Sequence, residues 1–328
     1  MKAAFSDTGV AVAIISAGTT RFYLQGYADH KKSLAVSKAT LFEIGSVTKP
    51  LVGLLTALAI IKQQMTPDTI VASLLQHPDY QQHQYSIARL LTHSSGLPRL
   101  PANLPLTDLS DPYANYSHAD LITALKQLTP GEQQFEYSNF GFGLLAELLS
   151  CQQGHNFAAL IEQQIFEPLG MSASTVAITN GHYPNLAQGH QIDGSRAANW
   201  HFQALAGAGA VLSTIEDMAL LIKYYLDATG AEFAGLGDKA FLADAMRLSV
   251  TPPTSAANIG FGWMLHPQGI IWHNGQTGGF NAFVGFAPAE QVGIVILNNS
   301  TVTVTPGAMA LLQQLRRQAR ETGNEQGP

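Results

Sequence analysis

The chain has 328 residues, 46% of them hydrophobic and only 12% charged, which excludes a disordered protein and leaves enough surface to bury one large domain or two. A formal net charge of −6 provides no basic footprint for nucleic acid. The longest apolar run, Leu51 to Ile61, is shorter than the roughly 20 residues of a membrane span, and the single Cys151 excludes an internal disulfide.

Taken in order, Lys2 is soon followed by Asp7, and Val10 to Ile15 reads as a strand rather than a signal-peptide core. The compartment is therefore periplasmic or secreted if a leader is removed upstream, and cytoplasmic otherwise. Gly9 to Ser16 and Arg21 to Ala28 are β-rich runs around the turn Ala17-Gly18-Thr19-Thr20, a hairpin signal. A buried helix follows Ser46, with shorter helical patterns at Thr69 to Leu75 and Ser86 to Thr92, the latter closed by Gly96 and Pro98. Residues 99–131 are loop-rich with one helical stretch at Ala119 to Leu128, Phe142 to Leu149 and Phe157 to Ile165 are helical, and 172–204 reads as connection. Ser213 followed by Glu216 reads as a capping box for a helix at Met218 to Leu226. Strand-like runs at Gly269 to Asn274, Gly279 to Ala287 and Val292 to Asn298 precede an amphipathic helix, Ala308 to Gln318, and a frayed polar tail. Strands at both ends with helices between predict an α/β (α+β) fold. An antiparallel sheet flanked by helices, from residues 1–75 and 206–328, is interrupted by a mostly helical domain at 76–205.

Chemistry concentrates first in Leu41-Phe-Glu-Ile-Gly-Ser46-Val-Thr-Lys49-Pro50. If a helix starts at Ser46, the three-residue spacing puts Ser46 and Lys49 on one face, with Pro50 in the first turn. A hydroxyl there sits in positive potential, and the amine one turn on can take or return its proton. The bland alternative is an N-cap and a solvated lysine. Against it, Leu51, Val52, Leu54, Leu55, Leu58, Ile60 and Ile61 leave the helix no polar face. Tyr137-Ser138-Asn139 lies between the Pro130-Gly131 turn and an apolar helix, where a tyrosine could share a proton with Lys49. Two other Tyr-x-Asn triplets, at Tyr113 and Tyr183, read as ordinary turn residues. His273-Asn274-Gly275-Gln276-Thr277-Gly278-Gly279-Phe280 holds three glycines in five positions, so the backbone either turns tightly or admits something close. By composition alone it reads as a hairpin turn. Alternatively a backbone N–H of this strand pairs with that of Ser46 as an oxyanion hole. Phosphate-loop, nucleophile-elbow and zinc-helix motifs are missing, and neither a metal nor another cofactor is expected.

The triplets Ser46-Val-Thr-Lys49, Tyr137-Ser-Asn139 and His273-Asn-Gly275, in that order, resemble the serine β-lactamase and penicillin-binding protein superfamily. The similarity is to the branch of class C β-lactamases, D-alanyl-D-alanine carboxypeptidases and β-lactamase-like esterases. Leu90 to Pro98, Phe166 to Met171, Ser213 to Met218 and Gly293 to Asn298 extend it over nearly the whole chain. The resemblance implies a β-lactamase/transpeptidase-like fold with the active site between the two domains. It further implies Ser46 as nucleophile, Lys49 and Tyr137 sharing general acid/base work, and Asn139 holding substrate and Lys49. His273 and Gly275 would lie on the opposite wall, with the N–H groups of Ser46 and Gln276 on the oxyanion. A lysine beside a phenol is expected to lower the phenol's pKa. His93, within the signature at 90–98, is expected to be structural.

Two departures bear on function. Class C β-lactamases carry Lys-Thr-Gly where this chain has His273-Asn-Gly275, and a histidine is mostly neutral at pH 7, so it offers no fixed cation to a carboxylate. Relatives carry a helix before the first strand, whereas about eight residues precede Gly9 here, which predicts greater exposure of Met309, Leu311, Leu312 and Leu315 on the last helix. The expected activity is that of a serine hydrolase forming an acyl-enzyme on small esters or D-amino-acid peptides. A class C-like β-lactamase, a penicillin-binding sensor without turnover and an inactive scaffold are the alternatives. The expected partner is a small ester, peptide or β-lactam.

Overall fold

The computed structural model of the protein describes residues 8–75, 77–105, 107–177, 181–230, 240–254 and 258–325. In chain order its strands are β1 (Gly9–Ser16), β2 (Thr19–Asp29), β3 (Leu34–Ala35), β4 (Phe42–Glu43), β5 (Thr175–Val176), β6 (Val211–Ser213), β7 (Met264–His266), β8 (Ile270–Gln276), β9 (Asn281–Ala287) and β10 (Val292–Asn298). Seven of them form one antiparallel sheet in the order β3-β2-β1-β10-β9-β8-β7, and β4-β6-β5 form a small second sheet. The first and last long strands are thus neighbours at the sheet centre, with Val12 opposite Ile296.

The period-2 alternation of β1 explains the layering. Ala11, Ala13 and Ile15 join Val295 and Leu297 in the main core, against the helices Ile215–Thr229 and Thr48–Ile61. Val10 and Val12 face the other way with Ile294 and Ile296, onto Ala308 and Leu312 of the C-terminal helix Thr305–Glu325. Both faces of β10 are therefore covered, as its unbroken apolar run requires. Leu312 is fully buried, against the expected exposure, and Met309, Leu311 and Leu315 are half-buried against the same cluster, because the helix lies on this face of the sheet. The helix also continues to Glu325, through most of the tail expected to fray.

The long helix of the intervening region is Asn139–Gln153, capped by Ser138, whose hydroxyl accepts from the Gly141 N–H at 2.8 Å. The expected Phe157 helix is α-helical over Phe157–Ile161 and then widens into a π turn over Glu162–Phe166. The capping box expected at Ser213 does not form. Ser213 is the last residue of β6, paired with Phe42, and its hydroxyl is buried against Ser174. Thr214 caps the helix instead, accepting from the Asp217 N–H at 3.2 Å, while the Asp217 carboxylate turns inward to Ala173 and Ser174.

Candidate active site

Ser46 lies in a 3-10 turn, Gly45–Val47, that feeds the helix Thr48–Ile61. The tighter turn, rather than an α-helical start, precedes Lys49. Every residue of this helix from Thr48 to Ala59 is buried, and Ser46 alone stays part-exposed at its mouth. The lysine is therefore held inside the protein with its amine pointing back to the serine. Nζ lies 3.1 Å from Ser46 Oγ, 2.9 Å from Asn139 Oδ1 and 2.7 Å from the Ala208 carbonyl. Burial pushes the amine well below its ordinary pKa, and the Arg99 charge pushes it the same way.

Tyr137 and Asn139 bracket the cap of their helix, so one loop-to-helix junction delivers both. Asn139 Nδ2 donates to the Tyr113 hydroxyl at 3.1 Å, which turns Oδ1 toward Lys49. The Tyr137 hydroxyl is hydrogen-bonded to Ser46, and its ring lies 4.8 Å from Lys49 Nζ. The expectation of a lowered phenol pKa is overturned. Burial raises Tyr137 to about 12, outweighing its bond to Ser46 and the Arg99 charge.

The strand β8 closes the opposite wall, and the glycine-rich stretch is close approach before it is turn. A Cβ on Gly275 would stand 1.9 Å from the Ile44 carbonyl oxygen and 3.0 Å from the Ser46 nitrogen. Gly45, with φ +49°, meets the same strand at Gln276. The Thr277 N–H bonds to the Phe280 carbonyl, and the register sets Gln276 opposite Asn281. Alternation along an antiparallel ladder then directs the Gln276 N–H away from β9, toward the Ser46 turn. The turn itself occupies 277–280.

His273 is buried, its ring 6.3 Å from that of Tyr137. Burial foremost, then the Lys49 charge, lowers it to about 3. Its Nδ1–H donates to the Asn274 carbonyl at 2.5 Å, leaving Nε2 unpartnered.

Several contributors escaped sequence reasoning. Tyr113, read as a turn residue, holds Asn139 and stacks on Phe202 with ring centroids 5.0 Å apart. His93 did not escape: expected to be structural, it packs its ring 4.4 Å from that of Tyr137 and accepts the Ser138 N–H on Nδ1 at 3.0 Å, so it buttresses the Tyr137 junction. Glu43, three residues before the serine, is buried with Oε1 accepting from Asn199 Nδ2 and the Trp200 N–H, and burial raises it to about 7. Arg99 places its guanidinium 5.3 Å from the Tyr137 ring. Only the adjacency of Glu43 to Ser46, and of Arg99 to the signature ending at Pro98, hinted at either.

Comparison with known proteins places the fold. The sequence model of the Beta-lactamase family matches residues 3–318. A protein of Escherichia coli K12 named Beta-lactamase is 28% identical, over 89% of this chain and 84% of its own length. The D-alanyl-D-alanine-carboxypeptidase/endopeptidase AmpH of the same organism is also 28% identical, over 69% of this chain and 61% of its own length. A solved class C beta-lactamase mutant superposes with a TM-score of 0.78 at 22% identity, covering 90% of this chain and 88% of that one. The antiparallel sheet flanked by helices is thus the class C β-lactamase fold, and the chain belongs to the Beta-lactamase family, within the serine β-lactamase and penicillin-binding protein superfamily.

Proposed function

We propose that the protein is a serine hydrolase that forms an acyl-enzyme on Ser46 and turns over small esters or D-amino-acid peptides. The observation that carries this reading is the buried Lys49 amine, 3.1 Å from Ser46 Oγ and kept below its ordinary pKa. A neutral amine at that distance is a base for a hydroxyl that is otherwise a weak nucleophile. Lys49 takes the Ser46 proton as Oγ attacks the carbonyl carbon. The N–H groups of Ser46 and Gln276, on facing segments, receive the developing oxyanion. Tyr137, protonated and bonded to Ser46, donates to the leaving oxygen or nitrogen and is reprotonated from Lys49. Asn139 holds Lys49 and the substrate's amide or ester side. The acyl-enzyme is then opened by water, with neutral Lys49 accepting the water proton directly or through Tyr137, and the pair returning a proton to Ser46 Oγ as it departs. His273 and Gly275 shape the wall across from Tyr137. The cleft sits between the sheet-bearing segments, 1–75 and 206–328, and the helical segment 76–205.

A class C-like β-lactamase is the second reading, supported by the extent of similarity to the Escherichia coli protein of that name. The neutral His273 weighs against it, because that wall gives no fixed cation to a β-lactam carboxylate. Time-resolved intact-mass spectrometry with a penicillin and with an activated short-chain ester, using Ser46→Ala as control, separates the readings. Fast ester turnover through a transient Ser46 adduct is the expected result. A long-lived penicillin adduct with little ester turnover would make the protein a penicillin-binding sensor, and no adduct or turnover in either tube would leave an inactive scaffold.

A further inference from the structure

Arg99 combines a locked backbone with an unoccupied side chain. Its carbonyl accepts the N–H groups of both Asn139 and Phe140, at 2.9 and 3.2 Å, at the start of the helix that follows Tyr137. Its own N–H donates to Glu136 Oε1 at 3.2 Å. The residue before it, Pro98, accepts the Ser138 hydroxyl at 2.7 Å. Just upstream, the carbonyl of Gly96, a residue with φ +77°, accepts the Gly131 N–H at 2.9 Å, and a Cβ there would lie 2.4 Å from the Gly131 carbonyl oxygen. The backbone at 96–99 is thus stitched to the Tyr137–Asn139 junction. The exposed guanidinium, by contrast, makes no hydrogen bond and no ion pair among the described residues, and its contact is the face of the Tyr137 ring.

The charge around it gives that position meaning. Lys49 and His273 are buried and held toward their neutral forms. His93 cannot readily take a proton either, since its Nδ1 already accepts the Ser138 N–H. Among the described residues around Tyr137, Arg99 is therefore the exposed permanent cation, on the Tyr137 side of the cleft. A planar fork with five donors suits a carboxylate, which it can bind through two parallel hydrogen bonds.

We propose that Arg99 is a specificity-determining residue that selects esters or amides bearing a carboxylate near the scissile bond. This rests on the serine-hydrolase reading of Ser46. The carboxylate can belong to the acyl half or to the leaving half, and the two are separable by synthesis.

The test compares kcat/KM for two matched pairs. p-Nitrophenyl butyrate against the p-nitrophenyl monoester of glutaric acid probes the acyl half, and phenyl acetate against 3-acetoxybenzoate probes the leaving half. The readout is the anionic-to-neutral ratio in the wild type, Arg99→Leu, Arg99→Lys and Arg99→Glu, with folding checked by circular dichroism and acylation of Ser46 by intact mass. In at least one pair the ratio should fall roughly tenfold to a hundredfold in Arg99→Leu, the range for a hydrogen bond to a charged group. It should fall less in Arg99→Lys, further in Arg99→Glu, and in the wild type it should shrink as salt is added. The pair that responds identifies the half that carries the carboxylate. Ratios unchanged in Arg99→Leu, or equal losses on neutral and anionic esters, would overturn the proposal and make Arg99 a support for Tyr137, leaving the serine-hydrolase reading intact. A wild type that is never acylated at Ser46 by any of the four esters would overturn both.

Discussion

Gly275→Ala tests whether close approach of β8 to the Ser46 turn is what makes the site work. The added methyl would be placed 1.9 Å from the Ile44 carbonyl oxygen, where real Cβ atoms essentially never come within 3.0 Å. The clash involves backbone on both sides, so no side chain can swing away. Strand and turn must part by about 1 Å, a displacement that can cost on the order of a hundredfold when it separates reacting groups. Losing one oxyanion donor is worth a similar factor, about 10²–10³ in kcat. The same overpacking should lower global stability by only about 1–3 kcal/mol. The assay is kcat for an activated ester beside urea unfolding, with Gly307→Ala as control, a glycine whose added Cβ meets nothing within 4 Å. Gly275→Ala should stay folded at the assay temperature with kcat down at least a hundredfold, and Gly307→Ala should keep wild-type kcat. A folded Gly275→Ala enzyme with wild-type kcat would refute the reasoning.

Replacing Lys49 with Met should slow acylation of Ser46 by about 10²–10⁴ in single-turnover kinetics, without the large loss of stability that removing a buried charged partner would bring. With Lys49 depressed and Tyr137 near 12, kcat/KM should climb on the acid side, level off well below pH 10.5 and stay level past pH 9; an alkaline limb at pH 8–9 would contradict the assignment. Glu43 is raised from 4.5 to about 7, so the folded state holds its proton more tightly than the unfolded chain. Its contribution is fully present below pH 4.5 and is lost as pH rises through 7, roughly 3 kcal/mol in all, and urea unfolding of wild type against Glu43→Gln at pH 4.5 and pH 8 should show that difference.

Periodicity made much of this fold readable. Alternation in Gly9–Ser16 announced a sheet strand, and the helix after Ser46 announced its burial because no polar face remained. Element ends were less readable, since they depend on partners far away in sequence. Ser213 could not be told from a cap without knowing that Phe42 pairs with it. The triplets of the site stood out through chemistry at fixed spacing, whereas Tyr113 and Arg99 belong to it through contacts across 26 and 38 residues, which no local pattern records. Gly275 was ambiguous for a related reason: a glycine marks either a turn or a close neighbour, and only the position of Ile44 decides.

Hydrogen-bond counting shows what losing a proton from Lys49 would do for the serine. Nζ has three neighbours, and two of them, Asn139 Oδ1 and the Ala208 carbonyl, can only accept. A charged ammonium would donate to all three, Ser46 Oγ included, whereas a neutral amine satisfies the two acceptors with its two N–H groups and leaves one lone pair for the serine proton. Tyr137, kept protonated by burial, is hydrogen-bonded to Ser46 in turn. With the amine neutral, the serine hydroxyl has its acceptor in Lys49 before any substrate arrives. Charging Lys49 would force a third N–H onto Ser46 Oγ and leave the serine proton without its acceptor. On the proposed chemistry, the buried apolar helix that begins at Thr48 thus sets the resting protonation state from which the serine attacks.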